Sequence, residues 1–300
     1  MDEMLQLADR FEQQRPRLRS VAYRILGSLS DADDAVQDTW IRLQRTDASQ
    51  IDNLDGWLTT VVSRVALNAL RARTTRPETV SSPAGMPDPV VSRADGTAAP
   101  GPEDQALLAE AVGLAMVVVL DTMTPAERVA FVLHDVFGVP FPEVADVIGG
   151  SADAARQLGS RARRKMQATP TPDRGLAAQH QVVAAFFAAA RSGNLDELVT
   201  VLHPDVVLRV DLGRPAGARG LQTVVGAAHV ASRALSFASP ERRVVPVLVN
   251  GAAGAVVVVG HQPVSVMSFV VTEGRIATID VLADLERLIE LDLMPLLSGD

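Results

Sequence analysis

The chain contains no cysteine in 300 residues, which excludes disulfides, thiolate metal sites and cysteine nucleophiles. Aromatic residues are scarce, at 4%, so its cores must be built from alanine, valine and leucine. Lys165 is the single lysine, and positive charge therefore means arginine. No apolar run is long enough to cross a bilayer, and the longest spans only residues 111–120. The N-terminus is polar and acidic, unlike a signal peptide. These features predict a soluble, cytoplasmic protein with no membrane partner. A surplus of basic charge is missing too: 28 basic residues face 36 acidic ones, for a net charge of −8. General attraction to phosphates is then weak, and only local arginine faces can bind nucleic acid. Any such binding should be poor for the chain alone and need a partner.

What is present is enough for two or three domains, with 47% apolar residues. The clearest stretch runs from Asp121 to Gln167. Thr124-Pro125-Ala126-Glu127 combines a capping hydroxyl, a proline at the first helical position and a glutamate at the third. The helix it opens should stop near Gly138. Pro142 starts a second, short helix with Val144, Val147 and Ile148 as anchors, closed by Gly149-Gly150. Ser151 caps a third, with Asp153 in its first turn. This is the helix-turn-helix pattern. In the last helix Ala155, Leu158, Ala162 and Met166 form one apolar stripe. Arg156, Gln157, Ser160, Arg163 and Arg164 occupy the opposite arc, with Arg161 at its edge. An arginine- and glutamine-bearing face behind a glycine turn suits a DNA major groove. A solvated face on an ordinary bundle helix is the plainer alternative.

Upstream, residues 3–26 have helical periodicity, with Pro16 expected to divide or kink the helix and Gly27 to end it. Ser30 to Asp33 resembles an N-terminal cap. The helix that follows, to about Gln44, turns Ala35, Val36, Trp40 and Leu43 inward. Asp33, Asp34, Gln37 and Asp38 form its acidic outer surface. From composition alone that surface is simple dipole compensation. Residues 55–73 form another helix, capped by Asp52 or Asn53, with Trp57, Leu58, Val61, Val62 and Val65 on its core side. Thr60, Arg64, Asn68 and Arg71 share a polar stripe that can meet nucleic acid or water.

Residues 77–104 are rich in proline and glycine and read as a linker between 1–76 and 105–169. Residues 176–300 read as a further α+β domain. Two helices are followed by a strand at Val206–Val210, a helix from Gly220 to about Phe237, and four strands: Arg242–Val249, Ala255–Val259, Val264–Val271 and Arg275–Leu282. Asn250-Gly251 and Glu273-Gly274 mark hairpin turns.

Asp31-Ala32-Asp33-Asp34, then Gln37-Asp38 and Trp40, followed by Trp57-Leu58 and a helix ending with Asn68 and Arg71, resembles region 2 of extracytoplasmic-function sigma factors. Residues 105–167 resemble region 4 of the same family. The resemblance implies two all-α sigma domains, a region 2 bundle and a region 4 helix-turn-helix. It implies that Asp33, Asp34, Gln37 and Asp38 dock on core RNA polymerase. Asn53, Thr60, Arg64, Asn68 and Arg71 would recognise and open the promoter −10 element. Arg156, Gln157, Ser160, Arg161, Arg163 and Arg164 would read the −35 element. The linker would thread through polymerase near the RNA exit path.

The tail resembles the SnoaL-like (nuclear transport factor 2-like) cone, and sigma factors that carry one form a subgroup. There the tail is expected to modulate activity in place of a separate anti-sigma protein, through contact with the sigma regions. Three motifs of that subgroup are altered here. Its Asp-Gly-Gly-Gly loop is Asp211-Leu212-Gly213-Arg214. Where the subgroup has an Asn-Pro-Asp-Lys-Leu box, this chain has Ala283-Asp284-Leu285-Glu286-Arg287-Leu288. Its linker motif is reduced to Pro83 to Pro89. Related cones include enzymes, for which His203, Asp211, His229, His261 and Asp280 are the acid–base candidates. No two have a telling spacing, and Arg209 with Asp211 on one strand face suggests an ion pair. Neither catalysis, a metal nor a cofactor is expected. The competing reading is an autonomous helix-turn-helix regulator whose cone binds a small ligand or has cyclase- or isomerase-like activity.

Overall fold

The computed structural model describes residues 2–47, 51–75, 86–94, 118–120, 122–168, 173, 175–213 and 220–297. The chain divides into two units, Met1–Ser82 with Val117–Ala168, and Pro83–Met116 with Thr169–Asp300.

The first unit is helical. Helix α1 (Asp2–Leu26) runs through Pro16 as a single element, and Gly27 ends it at φ 74°. The expected division at Pro16 is absent, and Phe11 and Leu18 on either side of it are fully buried. Helix α2 (Leu29–Gln44) is capped by Ser28, whose hydroxyl accepts from the Asp31 amide, rather than by Ser30. Ala35, Val36 and Leu43 are buried, and half-buried Trp40 tilts against Phe11 at 4.9 Å. Helix α3 (Leu54–Thr75) begins at Asn53, whose side-chain oxygen accepts from Gly56. Its inner face includes Leu58, Val62, Thr59 and Ser63. The two hydroxyls donate to the carbonyls of Asp55 and Thr59, so they enter an aromatic-poor core without leaving polar groups unsatisfied.

Helix α4 (Pro125–Phe131) has the full capping box between Thr124 and Glu127. It continues as a π-turn (Val132–Val136) before Gly138, at φ 70°, reverses the chain. Helix α5 (Phe141–Ile148) closes on Gly149 in the left-handed region, and Ser151 caps helix α6 (Ala152–Gln167). The anticipated stripe is met by buried Ala155 and Ala162. Gly159 joins them, since a Cβ there would stand 3.3 Å from the Phe141 ring.

In the second unit, helices α7 (Leu176–Ser192) and α8 (Leu195–Val201) precede strands β2 (Leu202–Asp211) and β3 (Leu221–Val225). Helix α9 (Ala227–Ser236) then leads into β4 (Arg242–Val249), β5 (Ala252–Val259), β6 (Gln262–Thr272) and β7 (Arg275–Leu282). Short helices α10 (Leu285–Glu290) and α11 (Met294–Leu297) follow. The helix expected from Gly220 begins only at Ala227. The preceding Thr223-Val224-Val225 is β-branched and pairs antiparallel with β2. Both hairpins have positive φ at both turn residues: Asn250 and Gly251 at 50° and 76°, Glu273 and Gly274 at 53° and 71°. That twist suits two-residue hairpins.

Part of the expected linker is not a tether. Val91–Arg93 forms strand β1, antiparallel to β4, giving a seven-stranded sheet in the order β1-β4-β5-β6-β7-β2-β3. Among the described strands only β2 and β7 run parallel. The core of this unit lies between α7, α8, α9 and one sheet face, around Phe186, Leu198, Val230, Phe269 and Ile279. Residues 77–85 and 95–104 of the expected linker, and Arg214, lie outside the described residues. No helix among the described residues is long and apolar enough to cross a membrane.

Candidate nucleic-acid interface

On α2, Asp33, Asp34, Gln37 and Asp38 all face solvent. Arg19 of α1 donates to both Asp33 oxygens, at 2.6 and 3.2 Å. Asp34 and Asp38 have no ion pair among the described residues. The same helix puts Asp31 against Arg73 of α3, which also donates to the Leu26 carbonyl. That link joins all three helices of the bundle and separates a structural carboxylate from the exposed set.

The polar stripe of α3 is exposed at Arg64, Asn68 and Arg71 and half-buried at Thr60. Arg64 donates to the Asp146 carbonyl at 2.8 Å, and Arg71 reaches that of Ile148 at 3.4 Å. Both acceptors are in the last turn of α5, where unsatisfied carbonyls and the helix dipole attract cations. Asn53 is exposed but serves as the α3 cap. The −10 candidates thus lie on one side of region 2, and two of them bind the first helix of the helix-turn-helix.

On α6, Arg156, Gln157, Ser160, Arg161 and Arg164 are exposed and Arg163 is half-buried. Arg163 donates to Asp135 at 2.9 and 3.2 Å, fixing α6 to the π-turn. Arg161 leans towards Glu127 at 3.9 Å. Arg156 pairs with Asp153 one turn earlier and stands 5.9 Å from the Phe141 ring centre. The outward set is therefore Arg156, Gln157, Ser160 and Arg164. Glu127 anchors the C-terminal end of α6 by accepting from Lys165 at 2.8 Å. Burial works against its ionisation, but Lys165 and the Thr124 bonds overcome this and hold the carboxyl below the ordinary glutamate range.

The cone holds a second cluster, on the sheet face away from its core. Asp211, only 1% exposed, accepts from the Met86 amide at 2.8 Å and from the Gly213 amide at 3.1 Å. Arg287 donates to Asp211 at 2.8 Å, to the Met86 carbonyl at 2.6 Å, and to Asp88 at 3.0 and 2.5 Å. Asp284 caps the helix carrying Arg287 and lies so close to Gly213 that a Cβ there would meet its carboxylate at 2.6 Å. The three altered motifs of the sequence therefore meet. Residues 86–93 thus form a strap along the sheet, which continues through Val90, whose amide and carbonyl exchange bonds with the side chain and amide of buried Asn250.

The acid–base candidates are not assembled. Asp280 forms a bidentate pair with Arg209, at 2.6 and 3.1 Å, and burial pushes its carboxyl up although Arg209 opposes the shift. The expected partner of Arg209 was Asp211. Asp280 is instead directly opposite in the β2–β7 register. His203 accepts from the Asp205 amide, while His229 and His261 are exposed.

Residues 10–76 match the Sigma-70 region 2 family and residues 114–166 the Sigma-70 region 4 family. SigJ of Mycobacterium tuberculosis, an extracytoplasmic-function RNA polymerase sigma factor, is 45% identical over 206 residues. That match takes in 67% of this chain and 64% of SigJ, just under two thirds of the relative's length. The probable sigma factor SigI of the same organism is 35% identical over 273 residues, 89% of this chain and 90% of SigI. The crystal structure of M. tuberculosis SigJ superposes with a TM-score of 0.73 at 35% identity, covering 94% of this chain and 98% of that one. Both sigma regions are present and in order, the SigI match and the SigJ superposition extend over 90% and 98% of those chains, and the chain belongs to the extracytoplasmic-function sigma factors of RNA polymerase.

Proposed function

We propose that the chain binds core RNA polymerase and directs promoter-specific initiation, and that its cone modulates this by holding the inter-domain strap. Asp34, Gln37 and Asp38, with Asp33 tethered beside them, are the polymerase-docking face. Asn53, Thr60, Arg64, Asn68 and Arg71 serve the −10 element. Arg156, Gln157, Ser160 and Arg164 read the −35 element, with Arg161 and Arg163 orienting their helix. The observation that carries the regulatory part is the Arg287 guanidinium, which ties Asp211 of the sheet to Met86 and Asp88 of the strap. A strap held there is unavailable to thread polymerase. Arg64 and Arg71, bound to α5, support a resting arrangement in which −10 recognition requires regions 2 and 4 to separate. The cone's carboxylates serve ion pairs, which favours a protein-contacting role over catalysis.

The test is run-off transcription with core polymerase, comparing the full chain with one ending at Thr169. Initiation by the full chain, at a level changed by truncation, is the expected result. Equal activity would remove the modulating role. Failure of both forms to bind core would overturn the sigma reading for this chain. Charge reversal at Asp34 and Asp38 should weaken core binding while leaving the helical content intact.

A further inference from the structure

The sheet of the cone has two chemically opposite faces. Asp211, Asp280 and Arg209 lie on one. The alternate residues Leu208, Val210, Ile279 and Val281 line a cavity of about 240 Å³ on the other. Phe187 and Met267 complete much of its wall. Among the described residues no carboxylate and no histidine lines it, but three arginines do: Arg191, Arg233 and Arg242. Arg233 and Arg242 stand 4.9 and 5.5 Å from the ring centre of Phe237, which is itself 47% exposed. Arg233 donates one Nη to Gln222 at 3.1 Å. Its Nε is buried and meets no acceptor among the described residues.

A buried donor without an acceptor is costly, and a guanidinium at an apolar cavity gains most from a planar anion that takes two of its N–H groups together. Apolar walls offer the rest of such a ligand only burial. A cavity of about 150 Å³ accepts benzene, so this one has room for two fused rings. We propose that the cone binds a small apolar carboxylic acid, its ring body inside the cavity and its carboxylate on Arg233 and Arg242. With arginines as the charged groups among the described lining residues, the proposal is one of binding. Val210 lines it while the next residue, Asp211, holds the strap, so one strand serves both.

Calorimetric titration of the full chain with 2-naphthoate, and with the neutral 2-naphthamide as control, tests this. Naphthoate should bind at least tenfold more tightly than the amide. Arg242→Gln should remove most of that preference, and Arg233→Gln should do the same. If Arg233→Gln disturbs folding through Gln222 and Phe237, Arg242→Gln decides alone. Val210→Trp, which fills the cavity, should abolish binding by both probes. Absence of naphthoate binding, equal affinity for the two probes, or binding unaffected by Val210→Trp would each overturn the proposal.

Discussion

Two arginines of the cone and one of the helical unit mark the extremes of what arginine does in this chain. In the cone, Arg209 and Arg287 are largely buried and bind carboxylates that are buried further, Asp280 at 1% and Asp211 at 2% side-chain exposure. In the helical unit, Arg156 is 55% exposed beside an 85% exposed Asp153. A buried charge has no water to fall back on, so removing its partner costs several kcal/mol. An exposed pair is worth about 0–1 kcal/mol and is readily exchanged for a phosphate or a base edge. Burial, rather than charge, separates the arginines that hold this protein together from those proposed to meet DNA.

The largest expected effect comes from breaking the buried side of that contrast. Arg287→Ala leaves Asp211 with two amide donors but no cation, and takes from Asp88 its bonds to Arg287. The strap should lose about 3 kcal/mol of holding free energy. Hydrogen exchange at the Met86 and Asn250 amides, which bond to Asp211 and Val90, should then accelerate roughly a hundredfold. Unchanged protection would mean that β1 pairing alone holds the strap, and that the ion cluster is incidental.

On the exposed side, Arg156→Ala and Arg164→Ala should leave stability within about 0.5 kcal/mol. Their effect belongs in promoter binding by the holoenzyme. A residue that reads a base bidentately should lose about 1–3 kcal/mol at one position of the −35 element. A phosphate contact should instead weaken all promoters alike and reduce the salt slope by about 0.9. Arg163→Ala sharpens the comparison, because Arg163 also binds Asp135 and should show a stability loss that Arg164→Ala does not. Equal behaviour of the two would erase the distinction between reading and orienting arginines.

Much of this was legible in the sequence wherever local chemistry decides. Thr124-Pro125-Glu127, Gly149 and Ser151 announce helix ends through bonds made within four residues. Asn250-Gly251 and Glu273-Gly274 announce hairpins the same way. The failures depend on distant partners. Strand β1 is three residues long and exists because β4 offers an edge, with Val90 bonding Asn250 across 160 positions. The strand before α9 was masked by the helical signal that follows it. Asp211, Arg287 and the Met86-Pro87-Asp88 segment were each visible as altered motifs. Their meeting, across 76 and 199 positions, was not. Likewise the α3 stripe was readable, but its bonds to the end of α5 were not, because backbone carbonyls leave no trace in residue identity.

Glu127 and Lys165 mix the two classes: the carboxylate side chain is 7% exposed and the ammonium 39%. The smallest effect is expected here, and its pH dependence identifies it. The Glu127 carboxyl sits below its ordinary value of 4.5 in the folded chain. The stability it contributes is therefore present above about pH 4.5 and lost as pH falls through the depressed folded value. Lys165→Met removes the main opposing charge, and half-exposure of the lysine limits the loss to about 1 kcal/mol near neutrality. Both tryptophans, Trp40 and Trp57, lie in the helical unit. Urea unfolding followed by tryptophan fluorescence thus reports this unit without interference from the cone. The difference between wild type and Lys165→Met should shrink as Glu127 protonates. A gap that persists at low pH would place the lysine's value in the packing of its stem and in its bond to the Thr122 carbonyl. A gap well above 1 kcal/mol at neutral pH would move this pair to the buried class, with Arg287 and Asp211.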